Sequence, residues 1–425
     1  MHSPGCMGTM RILFTLWAIV CLLAGFGTMA PAQDAGTIPP EPEASPHVLH
    51  GPPRVALLLD ASLGDGFDFP VGDAEGKGSY RDKATRRQHQ GWSATGKPGE
   101  PDGNDAKHTG EAWNGKGGGA TDAGQPVHAI ASGEVLEIQD GSRGQTIVIE
   151  HRFMENGRLR TIRSSYAGIE APTVQAGDTV KRRQQIAVIA RGEGEVPTQL
   201  YLEIKGEALP APIAAAPSPE FVPPAETPPS PPSASPSPNY LPPSTFIREH
   251  RRLLVPASAP EVFIAMKRDY RLYHVQKGKL VRTIPIALSQ DPIGPKQQEG
   301  DNRTPEGEYH VTQKAKGPFE GKYGAYLGAA WIRFSFPNAF DARAALAKKR
   351  ITPSQCVAIT SAISARRMPP AKTPLGGGVG IHGWISDWPE DGQHDLTWGC
   401  LSLRRADLLE LYGLMKEGAT LVIHP

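Results

Sequence analysis

Gly380-Ile381-His382-Gly383, and then His394-Asp395-Leu396-Thr397-Trp398-Gly399-Cys400-Leu401-Ser402-Leu403, is the stretch that concentrates chemistry in this 425-residue chain. Acyl transfer on a cysteine needs a thiol, a base that takes its proton and backbone N–H groups that receive an oxyanion. Cys400, His382 and the N–H of Gly399 are candidates for those three roles. A free cysteine has a pKa of about 8.5, so an imidazole that lowers it, or shuttles its proton, turns an idle thiol into an acyl acceptor. Each residue taken singly also has a structural reading, since a cysteine beside glycine is commonly a small buried residue. Asp407 precedes the apolar helical pattern Leu408 to Met415 and reads as its N-cap. Cys356, in an Ala/Ser-rich helical pattern, reads as packing.

Working outward, strand-like runs lead into this stretch (Val262 to Met266, Arg271 to Val275, Leu280 to Leu288), with helical patterns from Ala342 to Lys349 and Pro353 to Arg366 and a last strand from Ala419 to Ile423. Upstream, Pro210 to Pro243 holds 14 prolines in 34 positions, a composition that favours extended polyproline II and predicts a spacer over 207–245. Before it, short β-branched runs alternate with Gly-rich turns from Val127 to Ile204, the spacing of an all-β unit. Residues 33–53 read as a flexible leader. Arg11, the apolar run from Ile12 to Met29 and Ala30-Pro31-Ala32 form an export signal over 1–32, with an uncleaved membrane anchor as the rival reading. Cleavage removes Cys6 and Cys21 and leaves no dedicated membrane span. The chain divides into folded units over 54–206 and 246–425, and its fold class is mainly β, with a few helices in the second unit.

Composition narrows the partners. Lys+Arg number 45 against 44 Asp+Glu, a net charge of +1, which gives no electrostatic footprint for nucleic acid. Hydrophobic residues at 39% and charged residues at 21% lie in the globular range.

With these residues in place, 246–425 resembles the YkuD-type L,D-transpeptidases. Their signature is a His-Gly pair, a loop of somewhat under twenty residues, Gly-Cys at its end and an acidic residue soon after. Here 400 minus 382 gives 18 and 407 minus 400 gives 7. Gly294-Pro295-Lys296, Glu299-Gly300-Asp301-Asn302-Arg303-Thr304-Pro305-Glu306-Gly307-Glu308-Tyr309 and Phe334 to Asp341 match further segments, the last resembling the murein-hydrolase-like branch. The resemblance implies a YkuD-like β-sandwich and acyl transfer on peptidoglycan stem peptides, with Cys400 as nucleophile, His382 as base, and Gly383, Trp398, His394 and Arg404 around the substrate. His394 and Asp395 read equally as a solvated loop. Many members carry His and Arg where this chain has Trp398 and Ser402, so that recognition of the substrate carboxylate passes to Arg404 or Arg405 or follows the branch that lacks the Arg, and the resemblance leaves the acceptor open.

Residues 54–206 resemble the lysostaphin-type (LytM-like) zinc endopeptidases, through Gly66 to Gly72, His108-Thr109-Gly110-Glu111-Ala112, Gly124 to Val127 and Thr198 to Ile204. That family binds zinc through a His, an Asp four residues on and the second His of a His-x-His strand. Here His108 stands, but Ala112, Gln199 and Tyr201 occupy the other positions, and Gly168 replaces a further active-site His. Catalytic zinc wants three protein ligands, and the spacing of Asp122, His128 and His151 does not put them at the vacated positions. The resemblance therefore implies a metal-free domain that binds or regulates at the wall, and no cofactor for the chain. The expected whole is a periplasmic or cell-envelope enzyme acting on stem peptides, with a lipoprotein or a wall hydrolase as further partners. An L,D-carboxypeptidase or crosslink hydrolase using the same Cys/His pair is the first rival, and a non-enzymatic scaffold or hydrolase activator the second.

Overall fold

The computed structural model describes residues 55–96, 98–100, 108–194, 196–206 and 239–425. The expected signal and leader, and 207–238 of the expected spacer, lie outside the described residues.

The first unit is built on an antiparallel sheet in the order Trp92–Thr95, Gly110–Gly115, Leu200–Gly206, Arg158–Glu170, Gly144–Glu155, Gly133–Gly141, Thr179–Val180. Period-2 alternation sets its inner face: Leu200, Leu202 and Ile204 are buried, while Tyr201, Glu203 and Lys205 between them are not. The two longest strands form a hairpin whose register ends on the Glu155–Arg158 pair. Its turn is Asn156-Gly157, with φ of +46° and +76°. Asn-Gly suits a two-residue turn in which both positions are left-handed.

The expected spacer is corrected at its C-terminal end. Asn239–Leu241 is a strand that pairs with Leu200–Gly206, Asn239 lying opposite Gly206. The described residues on either side of 207–238 thus lie opposite each other in one sheet. The helix Pro243–Glu249 follows, and its Phe246 and Ile247 complete the first unit's core with Phe67 and Phe153.

The second unit is one mixed sheet in the order Lys279–Pro285, Arg271–Gln276, Glu261–Met266, Thr420–His424, Gly307–Lys316, Ala330–Phe334, Gly380–His382, Leu401–Ser402. Its two edges meet. Ala287, just beyond the first strand, exchanges backbone hydrogen bonds of 2.8 and 2.9 Å with Ser402 of the last. The sheet is therefore wrapped around a single core containing Phe263, Leu272, Tyr309, Ile332, Ile381, Leu401 and Leu421. The strand Glu261–Met266 is apolar almost throughout because both faces are covered. Phe263 and Ala265 face that core, whereas Val262, Ile264 and Met266 pack with Val55, Leu58 and Met154 of the first unit.

The first unit's Asn-Gly hairpin seats this contact. Asn156 Oδ1 accepts from Asn338 Nδ2 at 2.8 Å, and Arg158 pairs with Glu306, which also holds the buried Lys267 ammonium at 2.9 Å. No described helix is long and apolar enough to cross a membrane.

Candidate active site

Parallel pairing brings the two key segments together. Ile381 lies opposite Leu401 and His382 opposite Ser402, so the preceding residues Gly380 and Cys400 are neighbours. The backbone N–H of Gly380 is close enough to the Cys400 thiol to favour its charged form. Cys400 is half-buried and both described cysteines are free thiols, with Cys356 packed beside Ala342 and Ile359 as its sequence context suggests.

His382 is buried, with Trp331 and Trp384 flanking its ring at 5.8 and 6.3 Å. Its Nδ1 lies 2.9 Å from the carbonyl of Tyr326 and 2.7 Å from that of Gly383. Two acceptors at one nitrogen require that nitrogen to carry the proton, which leaves Nε2 as the basic atom. Burial drives the imidazole down to about 4, although the two carbonyls pull the other way. Burial likewise pushes the thiol up to about 11, opposed by the Gly380 N–H and the Lys296 ammonium. Both shifts favour a neutral thiol beside a neutral imidazole at rest, so a nucleophilic role for the thiol would require it to lose its proton as it reacts.

The turn that presents the nucleophile is held by Thr397, whose hydroxyl donates to the Cys400 carbonyl at 2.7 Å. Gly399 has φ of +141°, a conformation that favours glycine, and a Cβ there would lie a tight 3.1 Å from the Arg303 carbonyl. The Gly399 N–H, expected to receive an oxyanion, is 3.3 Å from the Thr397 hydroxyl oxygen, a long bond from which it can be recruited. Gly383 lets the backbone of the 324–328 segment pack against it, its N–H donating to the Leu327 carbonyl at 3.0 Å.

Trp398, 42% exposed, joins Tyr323, Tyr326 and Trp384 in an aromatic wall with ring centres 5.1 to 6.1 Å apart. The other expected binding residues have structural partners. Arg404 forks onto Asp407 at 3.2 and 3.0 Å and reaches Glu390 at 2.9 Å. Asp407 is not the N-cap expected of it. The cap is Arg404, and Asp407 sits inside the first turn of Arg405–Leu414 as that arginine's counter-ion. His394 is buried on the carbonyls of Pro389 and Asp391 at 3.0 and 3.2 Å, with Trp388 alongside, and Asp395 accepts from the Tyr270 hydroxyl at 2.8 Å. These contacts belong to a pinned loop and not to His382.

Three residues around His382 carried no signal of their own in the sequence. Trp331, Tyr326 and Trp384 reach His382 only through strand pairing and the 324–328 segment. Lys296 was legible as part of a matching segment, but not as a neighbour of Gly399.

In the first unit the residues at the positions compared with the zinc ligands are engaged in other contacts. Tyr201 lies opposite Ala112, and its hydroxyl accepts from the N–H of Gly110 at 2.9 Å and of Thr109 at 3.2 Å. Ala112 offers no donor atom, and the phenol oxygen is already engaged, so these residues do not fit zinc. Asp122 accepts from the Gly115 N–H at 2.8 Å, His151 lies between Ser132 and Ser164, and His128 meets the Pro70 carbonyl, which uses each elsewhere. Among the described residues no three His, Cys, Asp or Glu side chains cluster to hold an ion.

Residues 260–423 match the L,D-transpeptidase catalytic domain (YkuD), and residues 113–211 match peptidase family M23. A search of curated proteins finds no match. Among solved structures the chain is similar to a zinc containing peptidase from Vibrio cholerae, at 24% identity over 34% of this chain and 37% of that one, with a TM-score of 0.24. It is similar to the catalytic domain of lysostaphin from Staphylococcus simulans, at 22% identity over 28% of this chain and 82% of that one, TM-score 0.21. It is also similar to the L,D-transpeptidase from Xylanimonas cellulosilytica, at 16% identity over 39% of this chain and 61% of that one, TM-score 0.23. The match spans little more than a third of the Vibrio peptidase's length.

Proposed function

We propose that this chain, which joins an M23-type domain to an L,D-transpeptidase catalytic domain of the peptidoglycan-enzyme family, is an exported cell-wall acyltransferase. The observation that carries the reading is the Gly380–Cys400 neighbourhood beside an imidazole whose Nδ1 is fully engaged, so that Nε2 is the base.

Cys400 Sγ attacks the carbonyl carbon of the third stem residue while its proton passes to His382 Nε2. Collapse of the tetrahedral adduct breaks the C–N bond to the terminal D-Ala, whose nitrogen takes the proton from His382. The thioester then passes to the amine of a second stem peptide or of a lipoprotein lysine, and the thiol is restored. The N–H groups of Gly399 and Cys400 are the oxyanion donors in this scheme. The aromatic wall from Tyr323 to Trp398 lines the approach and keeps water from the thioester, which favours an amine acceptor over hydrolysis. The M23-type domain acts without metal, as a binding or regulatory surface in the periplasm or cell envelope.

The test is mass spectrometry of tetrapeptide muropeptides incubated with the full chain and with its Cys400→Ala variant. Dimers with loss of D-Ala, absent from the variant, support the transpeptidase. Cysteine-dependent loss of D-Ala without dimers makes it an L,D-carboxypeptidase. No turnover on muropeptides or crosslinked sacculi sinks the enzymatic reading.

A further inference from the structure

We propose that Lys296 is the specificity-determining residue that receives the C-terminal carboxylate of the donor stem peptide, an inference that rests on the acyl-transfer reading above. Lys296 is a lysine whose side chain is only 5% exposed. Its Nζ lies 3.8 Å from the point where a Cβ on Gly399 would stand, which places an ammonium beside the residue that precedes the nucleophile. The side of Gly399 that faces it carries no side chain.

The ammonium has donors to spare. Its partner among the described residues is Asp301 Oδ1 at 2.7 Å, whereas an ammonium carries three N–H groups. Asp301 in turn is satisfied by the backbone N–H groups of Gln297 at 2.6 Å, Gln298 at 3.0 Å and Arg303 at 3.2 Å, which spread its charge and leave the lysine incompletely neutralised. Asp301 also lines a cleft of about 250 Å³ in which Arg303 and Arg350 balance Asp291 and Asp301, so Lys296, which stands outside that lining and shares Asp301 with it, is the one cation there without a carboxylate of its own.

The arginines near the nucleophile are otherwise placed. Arg404 is forked on Asp407 and Glu390, whereas Arg405, whose backbone N–H meets Asp387 Oδ1 at 2.7 Å, is exposed to solvent. Position 402 is a buried serine. In a stem tetrapeptide only the nitrogen and α-carbon of the leaving residue separate the attacked carbonyl from the terminal carboxylate. A cation within reach of Gly399 therefore meets that carboxylate when the carbonyl is at Cys400, and a charge-assisted bond there selects donors with a free C-terminus. The chain is then an enzyme of peptide ends, poor on donors that continue past the fourth residue.

The experiment measures calorimetric affinity of the full chain carrying Cys400→Ala for a synthetic stem tetrapeptide and for the same peptide with a C-terminal amide. With Lys296 present, amidation weakens binding roughly tenfold or more, the range of a charge-assisted hydrogen bond. With Lys296→Met added, the acid and the amide bind equally. Because that change leaves Asp301 buried and uncompensated, Lys296→Met with Asp301→Asn is measured alongside, with a cooperative thermal transition as the check on folding. An amidation penalty that survives loss of Lys296, or no penalty in its presence, overturns the proposal. Carboxylate-dependent binding in a chain whose Cys400 form turns nothing over would sink the acyltransferase reading and leave the Lys296 assignment standing. Failure to bind either peptide removes both.

Discussion

Ser402 and His382 stand opposite each other on paired parallel strands and donate to the same oxygen, the Gly383 carbonyl, at 2.9 and 2.7 Å. That carbonyl faces the ring nitrogen that must keep its proton for Nε2 to act as base. The serine hydroxyl fixes where the oxygen sits, so Ser402 is a positioning residue for the imidazole.

Ser402→Ala removes one buried hydrogen bond worth about 1 kcal/mol. The expected outcome is a several-fold fall in kcat with KM little changed, since the serine orients the base and does not touch substrate. Steady-state kinetics on a stem tetrapeptide check this, and a loss confined to KM would contradict it. Ser402→Thr keeps the hydroxyl and is expected to retain more activity than the alanine variant.

The neutral resting pair has a pH signature. With the thiol near 11, alkylation of Cys400 by iodoacetamide rises about tenfold per pH unit through neutrality and shows no plateau below pH 9. The acid limb of kcat/KM falls near pH 4, where His382 takes up its second proton. An alkylation plateau near pH 7 would mean that a thiolate–imidazolium pair is already formed.

Stability has its own pH window. His382 and the buried His151 both have folded pKa values near 4, below the ordinary 6.5. A depressed folded value contributes stability that is present above 6.5 and lost as pH falls through 4, about 3 kcal/mol for each group. Asp341, raised by burial from 3.8 to about 7, has the opposite sign, its contribution being present below 3.8 and lost as pH rises through 7. Thermal unfolding is expected to weaken from pH 6.5 to 4 with a slope that His151→Gln flattens. An unchanged slope in that variant would show that His151 is not among the groups responsible.

Glu306 holds the contact between the units, pairing the buried Lys267 and, from the other unit, Arg158. Glu306→Ala leaves the Lys267 ammonium without its carboxylate and is expected to cost about 3–5 kcal/mol. Because Met154, Val262 and Val422 share one apolar cluster across the contact, the full chain should melt in one transition by calorimetry. Two well-separated transitions in the native chain would show that the units are not coupled.

Tyr201→Phe leaves the Gly110 N–H without the phenol oxygen and is expected to cost about 1–3 kcal/mol. Strong chelators should change neither the melting temperature nor turnover. Zinc that co-purifies stoichiometrically and shifts either one would overturn the account of the first unit.

Several features were legible because they are local. The His-Gly and Gly-Cys spacing and the β-branched runs need only the order of residues. Asn156-Gly157 likewise specifies its own turn through backbone sterics. What failed to read were matters of direction and partner. Asp407 resembles a cap in one dimension, yet its carboxylate is held by Arg404 three residues back. The prolines of the expected spacer set stiffness, whereas Asn239 returning to Gly206 is a pairing between distant residues.

Sequence alone therefore determined the chemistry on offer: one thiol in a Gly-Cys setting and one histidine eighteen residues before it. The tertiary structure decided the use made of it. Wrapping the sheet until Ala287 meets Ser402 buries His382 between Trp331 and Trp384 and brings Lys296 beside Gly399. Protonation and recognition follow from desolvation and from the positions of dipoles and charges, and these arise only when segments far apart in the chain are packed together.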